Sequence, residues 1–101
     1  MQYADRHPAA AKGGDRHPAA AQDGPLADDV DLTVAYQDGQ ERWPTPVVWS
    51  TPAGERHVYE LMAVEVDAKL AAFPVYSFRK TLSFGESEPE VAWIIPRYYL
   101  M

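Results

Sequence analysis

The sequence predicts an α+β fold: a small antiparallel sheet of about four strands in ββαββ order, one helix on a face, and a flexible N-terminal arm in front. Three observations lead there. Residues 30–37 and 75–84 alternate apolar and polar side chains, as half-buried strands do. Residues 52–73 instead repeat apolar side chains at helical spacing. Residues 1–27 have almost no large apolar side chain to bury. The alternative is an all-β meander or barrel, in which 56–66 is a strand.

Composition bounds the rest. A chain of 101 residues closes one small domain and not two. Its hydrophobic share of 47% argues against full disorder. With no cysteine, a disulfide scaffold, a thiol nucleophile and a thiolate zinc site are excluded. Nine basic side chains against fifteen acidic ones leave a net charge of -6, which opposes general affinity for nucleic acid or an anionic membrane. No apolar run approaches the roughly 20 residues of a membrane helix. The first residues lack the basic start and apolar stretch of a signal peptide, so a cytoplasmic location is expected.

The arm, 1–27, contains a duplication: Asp-Arg-His-Pro-Ala-Ala-Ala at 5–11 recurs at 15–21 after the spacer Lys12-Gly13-Gly14. Two copies of a ten-residue period match no solenoid. With so little apolar surface, this segment is expected not to offset its own ordering entropy. The globular domain is therefore expected at 28–101, which holds eleven of the twelve aromatic residues and, with twelve acids against six bases, the whole net charge.

Within the domain, Leu32, Val34 and Tyr36 share one face of the first strand. Asp38-Gly39 suits a two-residue hairpin turn. Folding there places Tyr36 opposite Glu41, Val34 opposite Trp43 and Leu32 opposite Thr45. Pro44 and Pro46 lack N–H groups, so regular pairing should stop near Trp43. Next, Tyr59, Met62, Ala63, Val66, Leu70 and Phe73 fall on one helical face, with Thr51-Pro52 as a capped start and Pro74 as the stop. In the competing strand at 56–66, Pro52-Ala53-Gly54 forms a turn, but the alternation is poor. Tyr76, Phe78, Leu82 and Phe84 then line one face of a strand. A polar acidic loop, 85–90, follows. Val91 to Ile95 are apolar on both faces, as in a strand covered on both sides.

Candidate chemistry is sparse. His7 and His17 occupy identical contexts because the heptapeptide is duplicated, and no second shell is evident for a metal held with Asp5 or Asp15. His57 reads as a helix-start or surface residue rather than a base. Ser50, Thr51, Ser77, Ser83 and Ser87 lie in no Gly-x-Ser-x-Gly elbow. Asp28, Asp29 and Asp31 lack the spacing, glycine and closing glutamate of a calcium loop. Gly13-Gly14 is not a phosphate-binding loop. Arg97-Tyr98-Tyr99 could stack bases, but the acidic surroundings oppose it. No cofactor and no metal are expected.

What remains is an abundance of rings. Three Trp and six Tyr exceed what so small a core is expected to bury, and exposed Trp and Tyr anchor protein interfaces. The expected function is a non-catalytic, acidic protein-binding module with anchors Trp43, Trp49, Tyr98 and Tyr99 and an acidic rim at Glu86, Glu88 and Glu90. Alternating glutamates stand about 7 Å apart, near the phosphate spacing of one strand, so an inhibitor of a nucleic-acid-handling protein is one version. A self-assembling structural subunit is the alternative, and a small enzyme the third.

Overall fold

The computed structural model describes residues 15–36, 42–66, 68–69, 71–96 and 98–100. Among them there is no helix, and the fold is all-β with a curled mixed sheet. The α+β expectation is therefore corrected. Nine strands follow in order: β1 (Asp15–Pro18), β2 (Ala20–Ala21), β3 (Thr33–Tyr36), β4 (Trp43–Thr45), β5 (Val47–Ser50), β6 (Arg56–Val66), β7 (Ala72–Leu82), β8 (Ala92–Ile94) and β9 (Tyr98–Leu100). The main sheet runs β2-β7-β6-β5, and β9 pairs in parallel with β6. Two-stranded ladders, β1 with β3 and β4 with β8, complete the fold.

The segment expected to be helical is the long strand β6 and the start of β7. The ladder between them shifts register between Val58 and Tyr59 and again between Leu61 and Ala63. The first shift places the extra residue, Arg79, on β7, and the second places one, Met62, on β6. The residue inserted at Met62 breaks the two-residue alternation of β6, which leaves intervals that imitate a helix. The helical face also does not coincide with the buried one, since Met62 and Phe73 on it are exposed while Val58 and Val64 off it are buried. Thr51 does cap, but it caps a hairpin. Its carbonyl accepts from the Gly54 amide at 2.9 Å and its hydroxyl from the Glu55 amide at 3.2 Å. Gly54 supplies the positive φ of 91° that the turn needs.

The strand expected at 75–84 is present as β7, beginning three residues earlier and ending at Leu82. The strand expected at 30–37 is the shorter β3. The Asp38-Gly39 turn lies outside the described residues. β3 pairs with β1, and β4 with β8, so the ladders differ from the expected Val34–Trp43 pairing. Leu32, Val34 and Trp43 nevertheless meet in one core.

The boundary expected at residue 27 is not a structural break. From Asp15 onward the second heptapeptide copy is built into the fold as β1 and β2, and Ala19 and Ala21 are buried in the core. The first copy lies outside the described residues. Alanines add little apolar area themselves, but their small side chains let the backbone lie close against large rings. Trp49 packs 5.1 Å from Tyr59 and 5.4 Å from Tyr76, Tyr36 packs 4.3 Å from Trp43, and the His17 ring stands edge-on to Trp43 at 5.0 Å. Such ring pairs add to stability beyond their buried area.

Candidate protein-binding edge

The expected anchors on β4 and β5 are core residues. Trp43 is 1% exposed and Trp49 8% exposed, and the Trp49 indole N–H donates to the Thr33 carbonyl at 2.9 Å. Neither ring is available to a partner, which corrects their expected role. Residues 15–27 help to bury them by supplying Ala19 and Ala21 to the same core, a contribution the composition of that segment conceals. Tyr98 and Tyr99 lie in β9, opposite Val64 and Glu65. Their side chains fall outside what is described.

The apolar surface lies elsewhere, in a segment read from sequence as covered. Phe84 is fully exposed at the turn after β7, and Val91, Ile94 and Ile95 are exposed around β8. The reason is the position of β8, which among the described residues pairs only with β4. Its register sets Trp43 opposite Ile94, Pro44 opposite Trp93 and Thr45 opposite Ala92. Pro44 has no N–H, so Pro44 and Trp93 form a non-hydrogen-bonded pair and the pairs on either side carry the ladder bonds. The backbone N–H and C=O of Trp93 consequently point away from β4, toward the outer edge.

The acidic residues flank this edge. Glu86 folds back: one oxygen accepts from the Lys80 ammonium at 2.7 Å and the other from the Ser83 amide at 2.8 Å. The Lys80 hydrogen bond, then the Ser83 amide, hold its carboxyl below the ordinary carboxylate range. Glu88 stands 3.6 Å from Arg56 and remains half exposed. Glu90 is exposed and has no ion-pair partner among the described residues. The three glutamates therefore do not form an uncommitted row. Glu86 is a structural clamp, and Glu88 and Glu90 face solvent beside β8.

Two other groupings bear on chemistry. His57 lies on β6, 3% exposed, rather than at a helix start or on the surface. Its Nδ1 is 2.8 Å from the Thr81 hydroxyl, its Nε2 is 3.5 Å from the Glu55 carboxylate, and its ring meets Phe78 edge-on. The Glu55 side chain is solvent-exposed, whereas the His57 ring is enclosed. A cavity of about 220 Å³ lies apart, between β1, β3 and β5, with Arg16, Asp29, Asp31 and Trp49 in its lining. Arg16 is committed to Thr33, and the Asp29 carboxylate accepts from the Asp31 amide at 2.8 Å. No group of three or more potential metal ligands occurs among the described residues. No described helix is long and apolar enough to cross a membrane.

No family model, curated protein or solved structure matches this chain.

Proposed function

We propose that this protein is a non-catalytic binding module that takes an extended segment of a protein partner along the outer edge of β8. The observation that carries the reading is the outward N–H and C=O of Trp93, set among the exposed side chains of Val91, Ile94 and Ile95. An unpaired edge supplies main-chain hydrogen bonds to an added strand, and apolar side chains beside it supply specificity. Glu88 and Glu90, on a chain of net charge -6, favour a segment with lysine or arginine near its apolar residues. A second copy of the chain would bring like charge to the same place, so a basic partner fits better than self-assembly.

The test is a titration of the full chain with a lysine–valine alternating heptapeptide, followed by backbone amide shifts. Shifts centred on 91–95, weakened by salt and by E88Q/E90Q, are expected. Absence of saturable shifts at β8, or shifts centred on the cavity near Arg16, would refute the reading.

A further inference from the structure

The duplicated heptapeptide gives one strand site two candidate occupants. Residues 15–24 fill it in this structure. Arg16 donates to the Thr33 hydroxyl at 3.2 Å and to the Thr33 carbonyl at 3.0 Å. His17 packs on Trp43, and the Ala19 amide donates to the Leu32 carbonyl at 3.0 Å. Ala20 and Ala21 pair with Val75 and Tyr76, and the Gln22 amide donates to the Tyr76 carbonyl at 2.9 Å. Gly24 ends the segment at φ 78°, where an added Cβ would come within 2.5 Å of the Phe78 Cβ.

Residues 5–14 carry nearly all of the same side chains ten positions earlier. The seven repeated residues supply the same arginine, histidine, proline and alanines, and Gly14 falls where Gly24 is required. Lys12 stands for Gln22, which contributes its backbone amide and is otherwise exposed. Gly13 stands for Asp23. Tyr59 uses the backbone carbonyl of Asp23, which any residue provides. The Asp23 carboxylate, which accepts from the Phe78 amide at 2.8 Å, is the single feature that Gly13 cannot replace.

We propose that the surface formed by β3, β7 and the Trp43 ring docks residues 5–14 of the same chain as an alternative to residues 15–24, in a register shifted by ten. Pro25 onward keeps its place, and 15–24 becomes a loop between Gly14 and Pro25. Closing a loop of this length is a modest entropic cost, because that cost grows only logarithmically with length. The Asp23 carboxylate and the shorter connection make the observed register the major one. The shifted register releases a second Asp-Arg-His-Pro segment to solvent. This inference is independent of the binding edge on β8.

The absence of cysteine makes the shift trappable. Pro18 lacks an N–H, so Pro18 and Thr33 are a non-hydrogen-bonded pair, and so, two residues along, are Arg16 and Ala35. Side chains at such a pair are close enough for a disulfide. In the full chain carrying R6C and A35C, oxidation is expected to give an in-chain bond at least tenfold faster than in a K12C/A35C control, and faster again with D23G added. Formation no faster than the control, or a bond between two molecules, overturns the proposal. Should the cysteine variants fold poorly, thermal melts decide. A19D alone should stay folded through the first copy, while A9D/A19D should not. Equal loss in both variants overturns it.

Discussion

The Tyr59 hydroxyl donates to the backbone carbonyl of Asp23 at 3.0 Å, joining residues 36 positions apart. The same oxygen accepts from the Leu26 amide at 3.0 Å. A fully buried ring on β6 thus fastens both ends of the turn that follows β2. Gly24 lies between those ends, and a Cβ placed on it would stand 2.8 Å from the hydroxyl. Residues 15–27 belong to the folded unit because of this fastening.

Gly24 and Gly54 should therefore respond differently to alanine. Both have positive φ, but a Cβ on Gly24 collides with Phe78, whereas nothing lies within 4 Å of one on Gly54. Gly54→Ala is expected to cost about 1 kcal/mol, and Gly24→Ala about 3 kcal/mol or more. Urea unfolding of the two variants measures the difference, and equal midpoints would contradict the packing of the turn.

The strand assignment of β6 separates two neighbouring apolar positions. Met62 is half exposed and Val64 is fully buried. Met62→Lys should change stability by no more than about 0.5 kcal/mol, while Val64→Asp, which buries an unpaired charge, should cost more than about 4 kcal/mol. Denaturant melts check both.

Part of the sheet is legible in the sequence, and the reason for the failures is local. The alternation over 75–84 marks β7 because its apolar side chains fall at even spacing, and the first and last of them within the strand, Tyr76 and Leu82, are buried. β6 is hidden by the residue inserted between Leu61 and Ala63, which breaks its alternation and which nothing in the local sequence announces. Trp43 and Trp49 read as surface anchors because the wall that covers them is built partly from alanines, whose role comes from smallness rather than hydrophobic area. The exposed edge is concealed because Val91 to Ile95 read as buried, and the position of β8, which among the described residues pairs with β4 alone, shows otherwise.

Tyr76 makes stability sensitive to alkali. Its hydroxyl donates to the Pro44 carbonyl at 2.9 Å, and burial raises its pKa above the ordinary value of 10.0. A raised folded-state pKa means that the contribution is fully present below pH 10.0 and is lost as pH rises from there toward the folded value. Tyr76→Phe should cost about 1–3 kcal/mol at neutral pH, since the buried Pro44 carbonyl loses its donor. The variant should also show a shallower fall in stability above pH 10.0. Unfolding midpoints measured from neutral to strongly alkaline pH test both.

Glu86 works in the opposite direction. Its lowered pKa means that the clamp on Ser83 is present above the ordinary carboxylate value of 4.5 and is lost as pH falls through the lower folded value. The Ser83 amide resonance should titrate with a midpoint below 4.5, and Glu86→Gln should abolish that titration.

The amide of Trp93 tests the open edge most directly. In the free chain its hydrogen should exchange quickly while those of Ala92 and Ile94, bonded to β4, are protected, and a saturating lysine–valine peptide should then protect Trp93 as well. Strong protection of Trp93 in the free chain, or rapid exchange that the peptide leaves unchanged, would contradict the account.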